Sequence, residues 1–188
     1  MAYSRFEIEQ SIEGIIKELN RIKGDMHSVK APQSKKNDVF SYFVYSVIFP
    51  YKRRNELMVF GSFIVMNNGP KKITKPIIEM NISPVDKSTF AGKIYSDHHV
   101  DYEFTPNLSE AWCHVDDDNK ILAYETGQYK LRPLLHDQLG AGDKLAFSNF
   151  QLSVHLDDKI DCVKVEGGIY YDENPSRFPS LNNIYINL

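Results

Sequence analysis

The chain is poor in the features that announce chemistry: its 188 residues include two cysteines and one tryptophan. Cys113 and Cys162 lack the spacing of a zinc site and read as two separate thiols rather than a disulfide. There is no G-x-S-x-G elbow, no H-E-x-x-H pair and no phosphate-cradling glycine loop, so the sequence gives no basis for the hydrolases and nucleotide enzymes those motifs serve. The formal net charge is only −3. A chain so balanced has no basic field to neutralise phosphates, so neither nucleic acid nor an anionic membrane surface is an expected partner. No apolar run approaches the roughly 20 residues of a membrane-spanning helix. The opening MAYSRFEIEQ lacks the basic start and apolar stretch of a secretory signal, and the expectation is a cytoplasmic protein. What the chain does have is apolar mass: 42% of its residues are hydrophobic. That fills the core of one ordinary domain with an appendage, and no cofactor is expected.

The appendage is the first 30 residues. Ser4 and Glu7 form a capping box, flanked by Tyr3 and Ile8 as a hydrophobic staple. Ile8, Ile12, Ile15, Leu19, Ile22 and Met26 then recur at alternating steps of four and three, a heptad seam with Ile8 at d and Ile12 at a. Ile16, at an e position, widens the stripe toward a multi-helix assembly or a broad covering surface. Glu18 at g and Lys23 at the next e carry opposite signs, which permits a parallel partner helix without selecting one. Against these signals, Gly14 and Gly24 each cost the helix about 1 kcal/mol, and a helix this short gains little from propensity alone. The stripe is therefore expected to find a partner surface. Self-association through these seven residues is the reading adopted, with burial on the helix's own domain as the alternative. Residues 31–38, polar and containing Pro32, read as a tether.

From Val39 the hydrophobic period becomes two. "VFSYFVYSVIF" and "LMVFGSFIVM" are aromatic, β-branched and apolar on both faces, the pattern of central strands or of strands covered on their outer side. The "PYKRRNE" between them predicts a hairpin with a solvated, charged tip. "NNGP" at 67–70 reads as a turn built on the positive φ that Asn and Gly tolerate. In "KPIIEMNIS", Ile78, Met80 and Ile82 point one way and Glu79, Asn81 and Ser83 point to a wet face. "STFAGKIY" reads as one further strand. The change of parity at Ser148 and Asn149 predicts a β-bulge. "CVKVEGGIYYD" and "NNIYINL" complete about seven or eight strands at sandwich-like spacing.

"GSFIVMNNGPKKITKPIIEMNIS" and the later "LGAGDKLAFSNFQLSV" together resemble bacterial immunoglobulin-like modules of the CARDB type, in which a strand ending near Asn-x-Gly is followed downstream by a Gly-Asp or Gly-Glu turn. The whole chain is also similar to small proteins of Bacillus-type bacteria, a likeness that implies no activity. The resemblance implies an immunoglobulin-like antiparallel β-sandwich over residues 39–188, carrying one N-terminal amphipathic α-helix, and a role in binding or assembly.

Between the two halves, residues 95–120 are longer than a sandwich turn needs, and long loops often carry function. His98, His99 and His114 lie there among Asp97, Asp101, Asp116, Asp117 and Asp118. These are candidate ligands for a metal-assisted hydrolase, but their spacing matches no metal motif, and "DDDNK" lacks the glycine and distant glutamate of an EF-hand. The segment is expected to be a solvated acidic loop without metal. Trp112 reads as a core plug. Cys113 and His114, adjacent on a strand, point to opposite faces and cannot act as nucleophile and base. Eleven tyrosines, concentrated in "GIYYDENPSRF" and "YETGQYKLRP", offer an aromatic face for a glycan. The sequence thus predicts a non-enzymatic homo-oligomer that meets an unidentified protein or, as the alternative, a glycan.

Overall fold

The computed structural model describes residues 38–50, 55–95, 110–172 and 174–188. The predicted helix of residues 1–30, the tether up to residue 37, the charged tip at 52–54, and His98 and His99 lie outside the described residues. In chain order the elements are β1 (Val39–Ile48), β2 (Glu56–Asn67), β3 (Ile73–Thr74), β4 (Ile77–Ser83), β5 (Ser88–Ala91), β6 (Ile94–Tyr95) and β7 (Trp112–His114). A helix follows, α1 (Asp117–Thr126), and then β8 (Gln128–Pro133), β9 (Gln138–Leu139), β10 (Lys144–His155), β11 (Cys162–Tyr170), β12 (Phe178–Pro179) and β13 (Ile184–Asn187). The domain is mainly β.

One sheet has the order β1-β2-β10-β5, antiparallel throughout. Its long strands are dense in aromatic and β-branched residues, and along much of their length buried positions alternate with more exposed ones, as a pleated strand with one face to the core requires. β1 and β2 form the expected hairpin. Among the described strands β2 is central and β1 lies at an edge of the sheet. The predicted bulge is present: the β2–β10 register shifts between Phe147 and Phe150, and Asn149 takes a φ of 57°.

The larger sheet runs β12-β11-β4-β8-β7-β6, with β13 also pairing β11; its pairs are antiparallel except the parallel β6–β7. The inner faces of the two sheets share one apolar cluster that includes Phe43, Phe63, Phe147 and Phe150 from the first and Met80, Leu131, Val165 and Ile169 from the second. Each such side chain contributes about 1.5–3 kcal/mol on burial. The two sheets meet at Gly167, where the rings of Phe63 and Phe43 occupy the place a Cβ would need. Trp112 is core as expected, fully buried, with Nε1 donating to the Ala146 carbonyl at 3.2 Å.

Three local readings need correction. The turn at 67–70 exists, but none of its residues has positive φ, and β2 does not form a hairpin with β4, which lies in the other sheet. The buried Asn67 side chain organises it instead: Nδ2 donates to the carbonyls of Lys71 (2.8 Å), Leu139 (3.0 Å) and Gly140 (3.0 Å), and Oδ1 accepts from Gly69 N (3.1 Å). Gly69 is needed because Asp38 Cβ lies 2.6 Å from where its own Cβ would sit. Next, "STFAGKIY" is two short strands in different sheets, parted at Gly92, whose missing side chain leaves room for the Phe147 ring.

Last, the acidic loop after His114 is the start of α1. The Asp116 carboxylate caps the helix by accepting from Asn119 N at 2.7 Å, and Asp117 and Asp118 sit in the first turn, where the backbone dipole favours negative charge. Gly127 ends it at φ 73°, its N–H donating to Ala123 O at 3.1 Å. Glycine is required there twice over, since a Cβ would also collide with the Ile82 carbonyl.

At the edge of β1 away from β2, Asn182 acts as a surrogate strand. Its Oδ1 accepts from Phe43 N at 2.7 Å, its Nδ2 donates to Phe43 O at 3.0 Å, and Leu181 N donates to Ser41 O at 2.8 Å.

Replacing Asn67 with alanine removes every one of its side-chain bonds while burying their partners, and is expected to cost about 3 kcal/mol. The exposed neighbour Asn68→Ala should cost less than about 0.5 kcal/mol. Urea unfolding of both variants checks the contrast.

Candidate functional site

The site follows from where the sheets part. β5 ends in the smaller sheet, the chain turns at Gly92, and β6 joins the larger sheet beside β7. β7 leads through Val115 and the Asp116 cap into α1, which packs chiefly on β8. Between α1 and the β5–β6 segment lies a cavity of about 510 Å³, walled by Phe90, Tyr95, His114, Lys120, Tyr124 and Tyr129. A smaller cavity of about 190 Å³ continues on the other side of Phe90, Tyr124 and Tyr129.

His114 is the polar centre of this groove. Its ring lies 6.5 Å from that of Tyr124 and 6.2 Å from that of Tyr129. Its Nδ1 is buried with no hydrogen-bond partner among the described residues. Burial lowers its pKa below the usual histidine value of 6.5, and the Lys120 cation lowers it further. The imidazole is therefore neutral at neutral pH. Tyr129 is buried, which raises its phenol pKa, with Tyr124 a second cause. Asp116, fully exposed, is held below the ordinary carboxylate range by its bonds to Asn119. The groove thus offers aromatic walls, a neutral imidazole that can donate or accept a single hydrogen bond, and carboxylates and an ammonium at its mouth.

Of the three candidate metal ligands, the structure places His114 alone, on β7. Among the described residues no group of three or more His, Cys, Asp or Glu side chains is arranged to hold a metal ion. Asp116 serves as a helix cap. Cys113 is buried, its Sγ 3.7 Å from the Arg132 carbonyl, and neither cysteine forms a disulfide.

A second polar cluster escaped the sequence reading. Glu79 has the predicted parity, yet it is buried rather than wet. Arg177 Nε lies 2.8 Å from Glu79 Oε1 as an ion pair without the alignment of a hydrogen bond, and Lys130 Nζ lies 3.8 Å from Oε2. Tyr170 donates to Oε2 at 3.1 Å, and its own pKa is raised by burial first and by Glu79 second. No local spacing reveals this cluster, because its members come from β4, β8, β11 and the segment before β12. Among the described residues, no helix is long and apolar enough to cross a membrane.

No family model and no curated protein matches the chain. Among solved structures, it is similar to a FixG-related protein from Vibrio parahaemolyticus, at 7% identity and a TM-score of 0.40, over 80% of this chain and 95% of that one. It is also similar to a GH20 exo-β-N-acetylglucosaminidase from Vibrio harveyi, solved with N-acetylglucosamine, at 9% identity and a TM-score of 0.31, over 76% of this chain and 17% of that one. Scores and identities this low transfer neither an architecture nor an activity.

Because folded His114 binds a proton less readily than an unfolded histidine, its contribution to stability is intact above the unfolded value of about 6.5. As pH falls below that value the unfolded chain takes up the proton first, and stability is lost until the folded imidazole itself titrates. Urea unfolding between about pH 7.5 and 5 should therefore show a decline that His114→Gln flattens. In an NMR titration the His114 midpoint should lie below 6.5.

Proposed function

We propose that this chain is a non-catalytic assembly module. Its N-terminal segment self-associates through Ile8, Ile12, Ile15, Ile16, Leu19, Ile22 and Met26, and its β domain, read as an immunoglobulin-like sandwich, meets a protein partner. The observation that carries the interaction role is the outer face of the β1–β2 hairpin. The outward pairs are Phe40–Met66, Tyr42–Ile64, Val44–Ser62, Ser46–Phe60 and Ile48–Met58. Those positions hold no charged residue, and Val44, Ile48 and Phe60 are exposed. A contiguous apolar face of this kind marks a binding surface far more often than idle exterior.

Two features support the sandwich reading. A single core is shared between two sheets, and the two turn motifs quoted for the immunoglobulin-like resemblance meet in space, with Asn67 N donating to Asp143 O at 3.1 Å and Gly142 N to Asn67 O at 2.7 Å. For the helix, the support is its seven-residue periodicity. In the variant Ile12→Asp with Leu19→Asp, a self-associating seam would bury unpaired charge. The expected result at micromolar concentration is a folded monomer, read by light scattering with circular dichroism. An unchanged molar mass would overturn self-association through this segment.

A second reading, carbohydrate binding, is favoured by the tyrosine-walled groove. Tyr95, Tyr124 and Tyr129 surround a neutral imidazole, and rings with polar tips suit the apolar faces and hydroxyls of a sugar. Tyr124 is largely exposed, so Tyr124→Ala should leave the fold intact and abolish binding on a glycan array. An array on which the unaltered protein binds nothing would retire this reading.

A further inference from the structure

The edge of β1 is guarded along one half only. Odd-numbered residues of β1 turn their backbone N–H and C=O away from β2, as the Asn182 and Leu181 bonds to Phe43 and Ser41 show. The same alternation aims the N–H and C=O of Tyr45 and Val47 at the open edge, where no described residue meets them. Natural sheets protect such edges with lysine, proline or bulges. From Val39 to Phe49 there is no charge, no proline and no glycine, and the register with β2 is unbroken. Val44, Tyr45, Ile48 and Phe49 are exposed.

We propose that Val44 to Ile48 pairs antiparallel with the same segment of a second copy of this chain, joining the two smaller sheets across a two-fold axis. This interface is separate from the helix seam proposed above. A second copy fits for three reasons. Antiparallel pairing of Tyr45 with the partner's Val47, and the reverse, satisfies all four outward N–H groups and all four carbonyls with one strand sequence. That register puts Ser46 against its own symmetry mate in the non-hydrogen-bonded position, where strands come closest and a small side chain fits. It also sets Val44 beside the partner's Ile48, apolar against apolar, with no like charges to oppose the approach. Asn182 ends the open stretch at Phe43, so the entering strand has to be short, and the partner's own segment is short for the same reason.

Hydrogen exchange of the Tyr45 and Val47 amides tests this in the Ile12→Asp, Leu19→Asp chain, where helix association is removed. Raising the protein from micromolar to millimolar concentration should slow both amides roughly tenfold or more, in step with a shift from monomer to dimer in sedimentation. Adding Val44→Lys with Ile48→Lys, both at exposed positions, should abolish both effects. Amides that exchange freely at every concentration, or that are protected equally at every concentration because another part of the chain covers the edge, would overturn the pairing. Should the aspartate background fail to fold, the lysine pair is placed in the otherwise unaltered chain, where it must release the two amides or the proposal fails. The helix reading falls on molar mass and the edge reading on these amides, so the two can fail separately.

Discussion

Everything in this domain depends on bringing Phe147 and Phe150 to the same side of one strand. Residues three apart on a regular strand point to opposite faces. The bulge at Ser148 and Asn149 reverses the alternation midway along β10, so both rings turn inward and are fully buried. Phe150 then meets Phe43 edge-on at 6.2 Å and Phe90 at 5.6 Å, while Phe147 meets Trp112 edge-on at 5.8 Å. The cluster thus ties the first sheet to β7 of the second, and β7 is the strand that carries His114. A strand without the bulge would turn one of these rings outward and strip Phe90, which walls the groove, of an aromatic neighbour.

How much could be read in advance varies with the range of the interactions. β4 was legible because a half-buried strand writes its two faces directly into alternate positions, and β1 and β2 because their runs are dense in aromatic and β-branched residues. The bulge was legible from the same alternation, as a break in parity. The helix Asp117–Thr126 was not. Its apolar residues Ile121, Leu122, Ala123 and Tyr124 are consecutive rather than spaced by a helical turn, and only Ala123 is buried, so no amphipathic period exists to be found. Its end signals, the Asp116 cap and Gly127, were present in the sequence but sat inside an acidic run that reads as loop. At Asn67 the turn was found and its cause was not, because Leu139 and Gly140, whose carbonyls define the role of that side chain, come from more than seventy residues later in the chain.

The site was less legible than the fold for the same reason. A groove between a helix and a strand pair cannot be anticipated when the helix is missed. Tyr124 and Tyr129 were singled out as part of a tyrosine-rich stretch, yet one stands on α1 and the other on β8. Both face His114 only because the chain reverses at Gly127. Glu79 illustrates the limit from the other side. Its parity was right, but parity tells only which face a residue occupies, and Arg177 arrives from 98 positions away to roof it. A buried carboxylate held by two cations and a phenol costs desolvation that its partners must offset together.

Gly167 ties distant parts of the chain into a joint evolutionary constraint. The rings of Phe43 and Phe63, from a different sheet, fill the volume a side chain at this position would claim. A lineage could accept alanine here only by shrinking one of those rings in the same step or before it, and the intermediate with the smaller ring alone would carry a void between the layers. The three positions should therefore drift as a set, so that exchanges at 167 in related chains are accompanied by changes at 43 or 63 despite more than a hundred residues of separation.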